Sequence, residues 1–392
     1  MSQTTTKHDI SSVQPLNTTQ PHPSSSKSRF HGAVFLSLSL LIMGCTSAAT
    51  HAADASVPIH QSEYLDVGDA QLFLQTRGED RRAPILLWLH GGPGGAERPL
   101  FRYFNSDLEN HFLVVYWDQR GAGRSFDSDA DPHELTVSRH LADLDAVVDH
   151  LRHTLGQDKI LLIGHSWGSL LGLLYSQQHP EKLSAYVGVA QIVSSLTTQY
   201  AAYEFASLAA ASQQDGAIRT SLNKLGPPPY SSSKQQMTLD SVIEKYGGLF
   251  HKQLCQFCVI VKAIATGLVT PWEFISIHRG IHTSVDAMTP ELLTRNLEVE
   301  VPQVNVPVLF LLGRHDRITE SVVAARYFQK LNAPCKQLIW FEESAHNIPF
   351  EEPQTFNTTV IEASRLLKPG MCSNRKDPVI PSLPAPRVGY GS

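Results

Sequence analysis

The sequence predicts an α/β fold: a mostly parallel, doubly wound sheet with helices on both faces and a helical cap inserted after the sixth strand. Two patterns predict it. Short continuous apolar runs bounded by turn residues alternate with longer helical stretches, as in a parallel sheet whose strands are buried on both faces. The alternation stops between residues 192 and 300, where no strand-like run occurs and a mostly helical cap is expected.

The elements follow in chain order. A leading hairpin is predicted over 63–76, with its turn at Gly68 and Asp69. Strands are predicted at 85–90, 112–117, 160–164, 186–190, 308–313 and 337–341, and helices at 98–109, 135–155, 166–179, 320–332 and 353–367. Within the cap, 249–265 has a helical pattern. The predicted domains are a first core part at 60–191, the cap at 192–300 and a second core part at 301–370.

Composition excludes several classes of protein. The chain has 392 residues, of which 42% are hydrophobic and 18% are charged, with a net charge of −5. This apolar content is too high for a disordered protein, and the charge balance gives no electrostatic reason to expect nucleic-acid binding. Five cysteines in a chain of this length exclude a disulfide scaffold.

The N-terminal region is predicted to lie outside the fold. Residues 1–29 are polar and predicted to be disordered, and the apolar run at 33–44 fits the core of a signal peptide but is too short to span a bilayer. Segment 30–55 is therefore interpreted as signal peptide and linker. Cys45 in IMGC resembles a bacterial lipobox, and the alternatives are cleavage within 46–55 or an uncleaved anchor. We expect an exported protein, periplasmic or attached to the membrane as a lipoprotein.

Two further segments bear on the mature protein. Cys255 and Cys258, in CQFC, would form a local disulfide or remain buried free thiols in a helix. Residues 371–392 are rich in proline and irregular, which predicts a mobile tail.

The most informative motif is GHSWG at 164–168, which places Ser166 in G-x-S-x-G between a predicted strand and a predicted helix. Such a turn forces the serine into a strained backbone conformation that small neighbours permit, and it presents the hydroxyl at a helix N-terminus. Ser166 is the predicted nucleophile; the alternative is a serine that only caps the helix.

A serine hydroxyl needs a base, and the base needs an orienting acid. Asp316 closes VLFLLGRHD, at the end of the seventh strand-like run, and His346 lies just after the eighth, in SAHN. The order Ser, Asp, His suits a cap inserted between nucleophile and acid. Alternatives for these two roles are Asp286 and Glu343 as acids and His315 as base.

Acyl transfer also needs donors for the oxyanion. The backbone N–H of Trp167 is one candidate, and the other comes from HGGPGG at 90–95, where Gly92 is preferred and Gly91 is next. His90 is expected to orient this loop. In WDQRGAGRS at 117–125, Asp118 and Arg120 are interpreted as a buried structural link.

These motifs, HGGPGG, WDQRGAGRS, GHSWGS, GRHD and SAH, resemble the proline iminopeptidase family of α/β-hydrolases over residues 60–370. The resemblance implies serine aminopeptidase activity with Ser166, Asp316 and His346 as the triad. It also implies acidic cap residues that hold the free α-amino group, commonly one in a WE pair. Glu273, which follows Trp272, and Glu204 are the candidates; the alternative is that both are exposed helix charges.

We therefore expect a serine hydrolase that acts through an acyl-enzyme on a small peptide or ester. The main alternative is a carboxylesterase or amidase, since the cap alone decides between them. An alternative of another class is a noncatalytic exported ligand-binding protein. No histidine spacing suggests a metal site, and neither metal nor cofactor is expected.

Overall fold

The structure of the protein is a computed structural model that describes residues 57–252 and 256–367, without the side chains of 256–260 and 366. The predictions for 1–29, for 30–55 with Cys45, and for 371–392 lie outside the described residues. The same holds for Cys255 and the side chain of Cys258, so the CQFC pair stays a prediction.

The predicted sheet is confirmed. It has eight strands in the order β1-β2-β4-β3-β5-β6-β7-β8, in which β1 and β2 pair antiparallel, β2 joins β4 antiparallel and all other pairs are parallel. The strands are β1 (Ile59–Val67), β2 (Ala70–Gly78), β3 (Ile85–Leu89), β4 (Leu113–Asp118), β5 (Ile160–His165), β6 (Leu183–Val189), β7 (Val308–Gly313) and β8 (Lys336–Phe341).

The helices also follow the predicted order. They are α1 (Arg98–Asn105), α2 (Val137–Leu155), α3 (Trp167–Gln178), α4 (Ser195–Ser212), α5 (Gly216–Leu225), α6 (Ser233–Lys245), α7 (Gln256–Ala265), α8 (Pro271–Leu292), α9 (Leu297–Glu300), α10 (Ser321–Lys330), α11 (Ile348–Glu351) and α12 (Pro353–Leu366). The helix predicted at 98–109 is wrong in its second half. Helix α1 ends at Asn105, whose side-chain amide donates to the carbonyl of Pro349 at 3.1 Å, and a 3₁₀ turn follows.

The strands are buried on both faces, as their apolar runs predict. Leu87 of β3 belongs to the apolar cluster on one face of the sheet, together with residues of α2, α3 and α10. Its neighbours Leu86 and Trp88 belong to the cluster on the other face, with residues of α1 and α12. Because successive side chains of a strand point to opposite faces, a strand between two helical layers must be apolar at every position.

The cap comprises α4 to α9, between β6 and β7, as predicted. It has a small apolar cluster of its own, formed by α4, α5 and α6. Helix α8 packs directly on the loops of the sheet edge: a Cβ added to Gly94 would lie 2.3 Å from the carbonyl oxygen of Gly280, and one added to Gly280 would lie 2.5 Å from that of Gly121. The close approach of these backbones therefore requires glycine. Among the described helices, none is both long and apolar enough to cross a bilayer.

Asp118 and Arg120 are both buried, but they do not pair with each other. Arg120, just after β4, donates to both carboxylate oxygens of Asp143 on α2, at 2.7 and 2.9 Å, and to Asp69 at 3.0 Å. Asp118 instead accepts from the guanidinium of Arg98 at 3.4 Å. Arg120 thus ties the loop after β4 to α2 and to the β1–β2 turn.

We expect Arg120→Ala to lower the free energy of unfolding by about 3–5 kcal/mol, because it leaves the buried Asp143 carboxylate without its cation. The matched control is Arg152→Ala, which removes an exposed pair with Asp149 and should cost less than about 1 kcal/mol. Urea unfolding measures both. The variant Arg120→Ala/Asp143→Ala should be more stable than Arg120→Ala alone; equal costs for Arg120→Ala and Arg152→Ala would contradict this account.

Candidate active site

Ser166 occupies a strained turn between β5 and α3. Its backbone has φ 52° and ψ −120°, a conformation that side-chain-bearing residues rarely adopt. The turn is held by hydrogen bonds on both sides: the Ser166 amide donates to the Val189 carbonyl at 3.0 Å, and its carbonyl accepts from the amide and the hydroxyl of Ser169 at 2.8 and 2.6 Å. The strain predicted from G-x-S-x-G is present.

The two glycines of the motif are required by packing. A Cβ on Gly164 would lie 2.2 Å from the carbonyl oxygen of Gly168, and a Cβ on Gly168 would lie 2.2 Å from that of Leu89. Real Cβ atoms do not come this close to another atom. The sharp turn at Ser166 therefore exists only if both positions lack a side chain.

Asp316 and His346 form the predicted pair. Asp316 follows β7 and His346 lies between β8 and α11, and His346 Nδ1 donates to Asp316 Oδ2 at 3.1 Å. The carboxylate also accepts from the amides of Ile318 and Thr319 and from the Thr319 hydroxyl, at 2.8, 3.0 and 2.6 Å. Burial alone would raise the pKa of Asp316, but the His346 ring and these hydrogen bonds outweigh it and lower the pKa. The acid is ionised at neutral pH.

His165, which directly precedes Ser166 in the chain, contacts His346. The rings of His165 and His346 have centroids 4.9 Å apart, and His165 Nε2 lies 3.1 Å from the His346 carbonyl oxygen. In the part of the chain that the structure describes, the Ser166 hydroxyl makes no hydrogen bond to His346. Contacts between nucleophile and base in free enzymes often tighten only when substrate binds.

The HGGPGG loop lies against Ser166. A Cβ on Gly91 would be 3.2 Å from the Ser166 Cβ and 2.8 Å from Glu97 Oε1. Burial alone would raise the pKa of Glu97, but the charge and hydrogen bond of the His165 ring outweigh it, with smaller contributions from His90 and the Gly91 backbone, and the net shift is downward. The choice between Gly92 and Gly91 as oxyanion donor stays a prediction. The other predicted donor, Trp167, is the first residue of α3, where amides have no carbonyl in a preceding turn.

Gln119 and His90 connect the HGGPGG loop to Trp167, the residue after Ser166. His90 Nδ1 donates to the Gly91 carbonyl at 2.8 Å and its Nε2 accepts from the Gln119 amide at 3.0 Å. The Gln119 side chain donates to the His90 carbonyl at 3.1 Å and accepts from the Trp167 indole at 2.9 Å. Burial lowers the pKa of His90, so the ring stays neutral. His90 orients the loop, as predicted, while the role of Gln119 was not predicted.

The buried His165 and the half-buried Glu97 form a second pair that sequence reasoning missed. Glu97 Oε1 accepts from His165 Nδ1 at 2.7 Å, and His165 Nε2 faces the His346 carbonyl. Both ring nitrogens face acceptors, an arrangement that favours the protonated ring. Burial alone would lower the pKa of His165. The Glu97 carboxylate and the His346 carbonyl have the opposite and larger effect, so the pKa is raised. The only signals in the sequence were the positions of both residues beside catalytic motifs.

The alternative acids and base are placed elsewhere. Asp286 accepts from the Ser233 amide at 2.6 Å within the cap. Glu343 is exposed and lies 3.9 Å from Lys252, while His315 stacks on His251 with ring centroids 3.5 Å apart. Of the acids and bases predicted for the triad, Asp316 and His346 are the two that pair within the described residues.

The predicted substrate-binding residues are not equivalent. Glu204 is exposed on α4. Glu273 is buried in the first turn of α8, where it forms a capping box with Thr270, and its carboxylate pairs with Arg98 and with Arg124, the latter at 3.4 Å. Its negative charge is thus already matched by two guanidinium groups. The predicted role of either residue in amine binding stays a prediction.

The chain is similar to known proteins in sequence and in fold. Residues 84–353 match the family described as alpha/beta hydrolase fold. A probable aminopeptidase, YbaC of Bacillus subtilis, is 31% identical over 302 residues, which are 77% of this chain and 95% of that protein. Proline iminopeptidase of Neisseria gonorrhoeae is 39% identical over 132 residues, which are 33% of this chain and 39% of that protein.

A solved structure shows the same fold. The crystal structure of proline iminopeptidase from Mycobacterium smegmatis has a TM-score of 0.58 and 18% identity, covering 78% of this chain and 98% of that chain. The similarity to proline iminopeptidases predicted from the motifs is confirmed. The chain belongs to the alpha/beta hydrolase family, and its relatives include proteins named aminopeptidase and proline iminopeptidase.

Proposed function

We propose that the protein is a serine hydrolase that releases an N-terminal residue from peptides through an acyl-enzyme on Ser166. The observation that carries the proposal is the buried, ionised Asp316 hydrogen bonded to His346 beside the strained turn of Ser166. In the neutral His346 ring, a proton on Nδ1, shared with Asp316, leaves the lone pair on Nε2. The ring is therefore held in the tautomer that a general base requires.

In the proposed first step, Ser166 Oγ attacks the substrate carbonyl while His346 takes the hydroxyl proton. His346 then gives this proton to the leaving amine, and water hydrolyses the acyl-enzyme by the reverse proton path. The amides of Trp167 and Gly92 stabilise the oxyanion, each contributing about 2.7–4 kcal/mol to the transition state. Gly91, the second candidate donor, lies beside Ser166 in the same loop.

The names of the relatives favour a substrate with a free N-terminus. Glu273 is the better candidate to hold the α-ammonium group because it is buried in the cap helix that packs on the HGGPGG loop. Its pairing with Arg98 and Arg124 favours a second candidate function, a carboxylesterase or amidase that needs no free amine. Both functions use the same triad.

Replacement of the nucleophile should abolish turnover without unfolding the protein. We expect Ser166→Ala to lower kcat/KM for a prolyl arylamide and for p-nitrophenyl acetate by a factor on the order of 10⁴–10⁶, and to abolish labelling by a fluorophosphonate. The control is Ser176→Ala, a buried serine within α3 whose hydroxyl donates to the Gly172 carbonyl at 2.6 Å. Wild-type protein that does not label would point to the noncatalytic ligand-binding alternative.

The substrate class is tested by blocking the amine. For an aminopeptidase, N-acetylation of the prolyl or alanyl arylamide should lower kcat/KM by at least about 10²-fold, since the substrate loses the charged amine that such a site recognises. Glu273→Gln should lower kcat/KM for substrates with a free amine and leave p-nitrophenyl acetate hydrolysis unchanged. The control is Glu204→Gln, at an exposed position. Equal rates on free and acetylated substrates would favour the esterase or amidase function.

The Glu97–His165 pair makes stability depend on pH. The pKa of His165 is raised above its ordinary value of 6.5, so the protonated ring stabilises the fold fully below pH 6.5 and this contribution is lost as pH rises through the folded-state pKa. We expect the stability difference between wild type and His165→Gln, from urea unfolding, to shrink as pH increases. The exposed His153→Gln is the control, and a difference that is constant from pH 5.5 to 9 would exclude a charged His165.

A further inference from the structure

An open groove of about 750 Å³ lies at the edge of the sheet opposite Ser166. It is lined by residues that directly precede strands, such as Pro84 before β3, Lys159 before β5 and Pro307 before β7. The catalytic residues Ser166, Asp316 and His346 all follow strands. The groove is therefore separate from the candidate active site.

The walls of the groove are mainly apolar. They include Phe112, Leu161, Ala185, Val306 and Ile361, contributed by the start of four strands and by α12. An apolar groove of this size on a protein surface indicates a binding site. Two features of the chain indicate which one.

The first feature is chain continuity. Leu367, the last described residue, lines the groove, and 25 residues follow it. That segment includes DPVIPSLPAP at 377–386, whose apolar side chains alternate with prolines. Proline-rich chains favour an extended polyproline II conformation, which docks on apolar grooves at low entropic cost.

The second feature is Cys335, which lies in the groove wall, is buried and is disulfide-bonded. Its bonding partner lies outside the described side chains. Cys372 follows Leu367 by five residues, a span of at most about 18 Å even when fully extended. Leu367 and Cys335 line the same groove and belong to one apolar cluster. Cys372 is therefore within reach of Cys335.

We propose that Cys335 is bonded to Cys372 and that residues 368–392 occupy the groove, with 377–386 along its apolar wall. The bond forms by exchange with a disulfide donor: one thiolate attacks a donor sulfur, and the second displaces it from the mixed disulfide. The two cysteines lose two electrons and two protons, and the donor leaves as a dithiol. The tail expected from sequence to be mobile is in this proposal a covering segment, formed in an oxidising compartment.

Peptide mapping of the full chain without reduction tests the bond. Protein refolded in oxidised and reduced glutathione should yield one crosslinked peptide pair that contains Cys335 and Cys372. Cys372→Ser should expose the Cys335 thiol to a maleimide and lower the thermal midpoint by several degrees, while Cys45→Ser and Cys258→Ser should do neither. A crosslink from Cys335 to any other cysteine, or to a second chain, overturns the proposal.

Hydrogen exchange tests the docking independently of the bond. Amides of 377–392 should exchange at least ten-fold more slowly than in an unstructured peptide of the same sequence. Ile361→Lys, which places a charge in the groove wall, should remove this protection, while Glu362→Lys on the exposed side of the same helix should keep it. Circular dichroism verifies that both variants fold. Unprotected amides in the oxidised wild type overturn the docking, and neither result depends on the proposed hydrolase activity.

Discussion

The candidate site depends on one backbone constraint, the turn at Ser166. A left-handed conformation at a residue with a side chain costs about 1–3 kcal/mol, and it persists only where surrounding packing imposes it. Here Gly164 and Gly168 let the strand, the helix and the end of β3 approach until their backbones touch, and the Val189 carbonyl holds the Ser166 amide. The hydroxyl is thereby fixed at the start of α3, where developing negative charge is favoured.

Around this turn, the loops that follow separate strands are joined by buried polar contacts rather than by apolar packing. His165, which precedes Ser166, bonds Glu97 after β3 and contacts the backbone carbonyl of His346 after β8, while Gln119 after β4 accepts from the Trp167 indole. These contacts join the loops that follow β3, β4 and β8 to the residues on either side of Ser166.

The strands and the Asp316–His346 contact could be predicted from the sequence because each leaves a local signal. A strand buried on both faces is apolar at every position, and the order of Ser166, Asp316 and His346 follows the order of strand ends. The Glu97–His165 pair has no such signal, since its members are 68 residues apart and either could have had another partner. Partners of buried charges and the end of a helix depend on tertiary contacts that no local pattern encodes.

Helix α8 rests on the loops after β3 and β4 without an intervening side chain, through Gly280. A cap that touches the catalytic loops in this way is not an independent module, because a shift of α8 displaces the loop that carries Gly92. New substrate preferences can therefore arise by divergence of α4 to α7 with little effect on the chemistry. Exchange of the whole cap with that of a relative would succeed only where the new helix also has a glycine at the position of Gly280.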